Sequence, residues 1–246
     1  MTLFNEEIVM VKRPGGELSA RQLHFIWIAD CSGSMGVDGK VEALNTAIDE
    51  SIPHMRQVAA ENPNAQLLVR AMKFGTGAQW HISQPVPIEE FQWTPLTADG
   101  TTDLGKALCE VSEQLSVEKM PSRALPPVLV LISDGQPTDD WKAGLKRLMD
   151  QPWGKKSVRI AVAIGRDADL ECLQEFIGNV EFKPLQANNA ERLIQLIKWA
   201  STVVVKSASA PASPATGDDA VPASGNIPLP EPPPEALSPT SADDVW

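Results

Sequence analysis

Apolar runs of five to eight residues recur along the chain, separated by longer stretches with helical spacing. Strands are predicted at 23–29, 66–74, 79–86, 128–132 and 158–164, with a short one at 180–182. "FIWIA", "PVLVLIS" and "VRIAVAIG" are apolar at successive positions. Strands of that kind are covered on both faces, as in a parallel sheet with helices on either side. "KVEALNTAIDESIPHMRQVAA" spaces Val41, Leu44, Ile48, Ile52 and Met55 three and four apart, one helical stripe. Pro53 inside it is expected to bend or end the helix nearby. "TDLGKALCEVSEQL" stripes Leu104, Leu108, Val111 and Leu115. "DDWKAGLKRLMD" is a further helix, with Asp139 or Thr138 as its cap. "AERLIQLIKWASTVVV" closes the pattern with Leu193, Ile197, Ala200 and Val204 facing inward. Strand and helix alternate, which predicts a three-layer, doubly wound α/β fold with a mostly parallel six-stranded sheet. The pair 66–74 and 79–86 breaks the rule. Only "GTGA" joins them, enough for a hairpin and too short for a crossover, so one edge strand should run antiparallel.

Composition then divides the chain. From Ser207 onward there is no Lys or Arg, while Asp218, Asp219, Glu231, Glu235, Asp243 and Asp244 carry −6 of the formal net charge of −11, leaving −5 on residues 1–206. This stretch is Pro-, Ala- and Ser-rich and cannot bury enough surface to offset the entropy of ordering. The expected organisation is an N-terminal extension (1–19), one domain (20–206) and a disordered acidic tail (207–246). "PLPEPPPEALSP" favours polyproline II, and the final "DDVW" reads either as solvated chain or as a docking motif. Net acidity argues against nucleic acid and anionic membranes as partners. Cys31, Cys109 and Cys172 are odd in number and widely spaced, so they form no disulfide framework and no zinc site. The N-terminus lacks an apolar signal core, and no apolar run reaches membrane-spanning length; a soluble, cytoplasmic protein is expected.

The chemistry gathers where strands end. "FIWIADCSGSMG" passes from an apolar strand into Asp30, Ser32 and Ser34 on a glycine-rich turn. A metal site, a nucleophile or a phosphate cradle could each use that arrangement. Two more loops follow the same logic: "ADGTTDLGKAL", with Thr101 and Thr102 before a helix, and "ISDGQPTDD", with Asp134 just past the 128–132 strand. Ligands of open α/β sheets bind at such carboxyl ends. Together the loops offer two carboxylates and several hydroxyls, all oxygen. A hard divalent cation takes such a set, and hydroxyls fill its coordination without over-neutralising it.

Asp30-x-Ser32-x-Ser34, Gly100-Thr101-Thr102-Asp103-Leu104-Gly105 and Ser133-Asp134-Gly135 resemble the three parts of the metal-ion-dependent adhesion site (MIDAS) of von Willebrand factor A domains. The likeness covers roughly residues 20–205. It implies that Ser32, Ser34 and Thr102 contact Mg²⁺ or Mn²⁺ directly. It implies that Asp30 and Asp134 do so directly or through water, and that an acidic residue of a protein partner completes the octahedron. "ADCSGSMGVDGKVEALNTAIDESIPHM", "LTADGTTDLGKAL" and "LISDGQPTDDW" further resemble bacterial TerY-type proteins of tellurite-resistance and stress clusters. That likeness implies a Ser/Thr kinase and a PP2C-type phosphatase as partners, with the tail a candidate phosphoacceptor. The cysteine-rich extension of many such chains is missing here, which removes a zinc module from consideration.

The expected function is therefore a non-enzymatic, metal-dependent protein-interaction module. The alternative is a metal-dependent hydrolase or phosphatase using the Asp30–Ser34 loop. It lacks a Gly at the first position of a nucleophile elbow, a second acid two residues after Asp30, an Arg to serve a Cys31 nucleophile, and a P-loop Lys. His24, His54 and His81 are scattered. Asp103 reads as a helix-start acid, with a supporting partner of the metal residues the alternative, and Trp93 and Trp141 as packing residues beside the second and third loops, with interface anchoring the alternative.

Overall fold

A computed structural model describes residues 20–62, 65–209, 231–234 and 246, with only the backbone of Val204. The N-terminal extension lies outside it, as does most of the expected tail. The elements are β1 (Arg21–Asp30), α1 (Lys40–Ala60), β2 (Ala65–Gly75), β3 (Gly77–Pro87), α2 (Leu104–Gln114), β4 (Val128–Ser133), α3 (Trp141–Asp150), α4 (Pro152–Lys156), β5 (Val158–Ile164), α5 (Leu170–Ile177), β6 (Leu185–Ala187) and α6 (Ala190–Ser209).

The six strands form one sheet in the order β3-β2-β1-β4-β5-β6. All pairings are parallel except β2 with β3, which are antiparallel at the edge. The period-two alternation of a strand explains how β1 can be apolar throughout. Leu23, Phe25, Trp27 and Ala29 face the core under α1 and α6, while Ile26 and Ile28 face the core under α2, α3, α4 and α5. Both sets are at most 1% exposed, so three layers result.

Three expectations are corrected. The last strand is Leu185–Ala187, not 180–182. Gly178 ends α5 in the left-handed conformation, Val180 is 82% exposed, and the chain pairs with β5 only later, Leu185 opposite Val162. Of the two outcomes expected of Pro53, ending the helix does not occur: α1 runs through it to Ala60, with Pro53 on the exposed side while Ile52 and Met55 keep their places in the core. At the far end, α6 extends to Ser209, past the expected boundary at 206. Ser209 itself is tied down, its Oγ donating to Val205 O and accepting from Asn62 Nδ2.

α2 and α3 touch through their backbones. A Cβ on Gly105 would lie 2.6 Å from Asp140 O, and one on Gly144 would lie 2.4 Å from Gly105 O. Neither position has room for a methyl group. Gly144→Ala is therefore expected to destabilise the protein by about 2–3 kcal/mol, despite a gain of about 1 kcal/mol in helix propensity. Urea unfolding measures this, and an unchanged or raised midpoint contradicts the contact.

Candidate metal centre

Parallel pairing of β1 with β4 sets Ala29 opposite Ile132, so both strands release their chains at one edge of the sheet. Asp30 and Ser133 meet there: Ser133 Oγ donates to Asp30 Oδ2 at 2.5 Å, and Ser32 N–H donates to Asp30 Oδ1 at 2.8 Å. Ser34 Oγ donates to Asp134 Oδ1 at 2.7 Å and stands 3.0 Å from Ser32 Oγ. A 3-10 turn over Gly33–Gly36 brings the two serines round. Asp30, Ser32 and Asp134 are buried, and Ser34 is exposed, so the group opens to solvent on one side.

Thr102 arrives on the third loop, sewn to the others through the backbone. Gly33 N–H donates to Gly100 O, Asp99 N–H to Cys31 O, and Asp103 N–H to Gly75 O. Gly100 makes this possible: its φ is +87°, and a Cβ there would lie 2.2 Å from Thr76 Oγ1. Thr102 is clasped to the β4–α3 loop, its N–H donating to Thr138 Oγ1 while Thr138 N–H donates to Thr102 O. A carbon added to Gly135 would lie 3.6 Å from Ser34 Oγ and 3.7 Å from Thr102 Oγ1, so these hydroxyls converge on one point beside Asp134. All five residues expected from the sequence are thus brought together.

Electrostatics marks the cluster as an acidic one. Burial, with the nearby Asp134 charge adding to it, raises the Asp30 carboxyl above its ordinary value of 3.8; hydrogen bonds from Ser133 and Ser32 oppose the rise. Lys40, opening α1, donates to Asp134 Oδ2 at 2.7 Å. Asp30 has no such cation among the described residues. The donors are two carboxylates and three hydroxyls, and no group of three or more His, Cys, Asp or Glu forms among the described residues. The set suits a hard cation and not a thiolate- or imidazole-seeking one.

The sequence profile of the von Willebrand factor type A domain matches residues 27–196. The chain belongs to the von Willebrand factor A (VWA) family. VWA domains carry a divalent-metal-binding, protein-interaction fold and are generally non-enzymatic. Solved structures show the same fold. The ArnB paralog VWA2 of Sulfolobus acidocaldarius is 16% identical, with a TM-score of 0.54 over 73% of this chain and 45% of its own. A von Willebrand factor type A protein from Catenulispora acidiphila is 16% identical, with a TM-score of 0.57 over 75% and 42%. Proximal thread matrix protein 1 of the mussel byssus, with a zinc-occupied MIDAS motif, is 18% identical, with a TM-score of 0.59 over 76% and 48%. The chain spans less than half the length of each. No curated protein matches it.

Around this VWA site the structure adds Lys40, and it gives Asp103 and Asp139 more than the roles expected of them. Asp103 ties the β2–β3 turn to α2, accepting from Gly77 N–H at 2.8 Å, from Lys106 Nζ at 2.6 Å and from Thr138 Oγ1 at 3.3 Å. The Lys106 ammonium chiefly holds its carboxyl below the ordinary range. The capping expectation shifts by one residue. Asp140 caps α3 through Ala143 N–H, while Asp139 accepts from Gly105 and Lys106 N–H and so caps α2. Lys40 had one legible signal: a cation in the first turn of a helix opposes the macrodipole and needs a partner elsewhere.

The enzymatic alternative gains nothing here. Burial pushes the Cys31 thiol up to about 12, where it is neither nucleophile nor ligand at neutral pH. Among the described residues no histidine bonds to any of the five site residues. His24 is buried and held down to about 4, and His81 bonds Thr94 O. Trp93 is a packing residue, 5.9 Å from the Trp27 ring with its indole N–H on Asn45 Oδ1. Trp141 is half-buried against the α2–α3 core. Trp246, the last residue of "DDVW", is held near the site. Its indole N–H donates to Asp38 O and its backbone N–H to Asn188 O.

An acid whose folded pKa is raised supports the fold fully only below its unfolded pKa and loses that support as pH rises through the folded value. Asp30→Asn is expected to raise the melting temperature of metal-free protein at pH 7 by about 2–5 °C and to flatten its decline above pH 4. Calorimetry across pH measures both; a lower melting temperature at every pH contradicts this account.

Proposed function

We propose that Asp30, Ser32, Ser34, Thr102 and Asp134 hold one divalent cation, Mg²⁺ or Mn²⁺, and that the protein uses it to bind an acidic residue of a protein partner. The convergence of Ser34 and Thr102 hydroxyls beside Asp134 carries the reading, since three distant segments supply oxygens to one place. When bound, the cation supplies a Lewis-acidic vertex that a carboxylate can occupy. The chain's own residues prepare for it. Ser133 and Ser32 N–H aim Asp30, Lys40 neutralises Asp134, and the Thr102–Thr138 clasp fixes the third loop. The opening at Ser34 faces solvent, and Trp246 beside Asp38 shares the surface a partner would meet.

The finer reading is a cytoplasmic, TerY-type interaction protein of a bacterial stress or tellurite-resistance system, working with a Ser/Thr kinase and a PP2C-type phosphatase. The three loop sequences support it, being similar to that group beyond the metal residues. The five residues all fall within the domain that begins near residue 20 and closes with α6 (Ala190–Ser209). No helix among the described residues is long and apolar enough to cross a membrane.

Calorimetric titration with Mg²⁺ and Mn²⁺ tests the metal. Asp134→Ala is expected to abolish binding, and Ser133→Ala to weaken it about 10–100-fold by releasing Asp30. Lys40→Met should tighten binding several-fold, because an ammonium no longer shares Asp134 with the cation. Wild-type affinity in Asp134→Ala overturns the assignment. Partner capture by the full chain should be lost both with chelator and in Asp134→Ala; capture that survives both overturns the metal-dependent interaction.

A further inference from the structure

A second cavity lies beneath the C-terminal end of α2, against the β1–β2–β3 half of the sheet and on the same face as Ile26. Its volume is about 450 Å³. α2 runs between this cavity and the metal centre, whose Thr102 stands just before its first residue. The lining differs from the rest of the molecule. In a chain of net charge −11, it holds Arg70 and Lys119 and no Asp or Glu.

Arg70 is the unusual member. It points from the middle of β2, is 7% exposed, and has no carboxylate partner among the described residues. Its partners are neutral: Gln114 Oε1 at 3.1 Å, the Ser83 carbonyl, and the face of the Trp80 ring at 3.9 Å. Its Nε–H has no acceptor, and neither has the Trp80 indole N–H. A buried guanidinium left with an unmet donor is costly, and its planar edge matches a carboxylate. His24, also lining the cavity, is held neutral by burial and by Arg70, so it adds no charge of its own but offers a further polar contact. Ile26, Leu115 and Met120 are buried and close the floor behind the cavity, and exposed Lys119 belongs to the mouth.

We infer that this cavity is a binding site for a small organic carboxylate, whose headgroup meets the accessible part of Arg70 with Lys119 at the mouth, beside the Trp80 ring stacked on that guanidinium. The site is independent of the metal reading. It needs no cation, and its occupant is a free small molecule.

The test follows the Trp80 indole resonance in ¹⁵N-labelled full-length protein, identified by its loss in Trp80→Phe. Hexanoate is the probe and hexanol the neutral control. Hexanoate should shift the resonance saturably with a Kd of about 1 mM, as expected for so few atoms, and hexanol should not. Arg70→Met should weaken hexanoate at least tenfold. Lys119→Gln, at an exposed position that cannot threaten folding, should weaken it about two- to fivefold and reduce its salt dependence. If Arg70→Met does not fold, Lys119→Gln decides. The proposal is overturned if hexanoate at about 20 mM moves nothing, if hexanol moves the resonance equally, or if the folded variants bind as wild type does. Mg²⁺ titration of the same sample reads the metal centre separately.

Discussion

The parallel pairing of β1 with β4 is the constraint from which the functional end of the molecule follows. It lets two strands finish side by side, and so sets Asp30 and Asp134, 104 residues apart in sequence, close enough for one to raise the other's pKa. An antiparallel neighbour would have sent the second acid to the opposite edge. Everything else at this end manages the resulting charge. Ser133 and the Ser32 N–H serve one carboxylate, Ser34 and Lys40 the other, and a third loop is laid across both.

That management is incomplete among the described residues. Two buried carboxylates face a single ammonium, and the hydroxyls add dipoles without adding charge. A fold selected for stability alone would place apolar groups at such strand ends. The same incompleteness recurs with opposite sign at Arg70, a buried cation with only neutral partners. Both sites depart from the local rules that govern the rest of the core, and such departures tend to mark sites of function.

Much of this was legible in the sequence, for identifiable reasons. The central strands are apolar on both faces, so burial fixed their assignment. "GTGA" is too short for a crossover, so the antiparallel edge followed from geometry. β6 was missed because only three residues pair there, and Val180–Phe182 offered a better apolar run at a place where the chain is still turning. The five candidate residues stand at element ends where polar residues interrupt an apolar pattern, and the resemblance to the VWA motif chose them from among their neighbours. The partners of Lys40, Ser133 and Asp139 were not legible, although Ser133 stood in the quoted motif and Asp139 read as a cap, since those partners lie 94, 103 and 34 residues away. The Arg70 cavity left no pattern at all: a lone cation within a strand says nothing until the sheet shows that no acid lies opposite.

The backbone contact of Gly105 with Gly144 reaches further than local packing. α2 begins just after Thr102, and α3 follows the loop bearing Asp134. The two are also joined by the Thr102–Thr138 clasp and by Asp139 over the first N–H groups of α2. Two of the three walls of the acidic centre therefore behave as a single stiff plate. The remaining wall, the short turn carrying Ser32 and Ser34, meets that plate through hydrogen bonds instead of helix packing, so accommodation of the proposed cation would fall first on this turn, the jaw of a vice whose other half is stiffer.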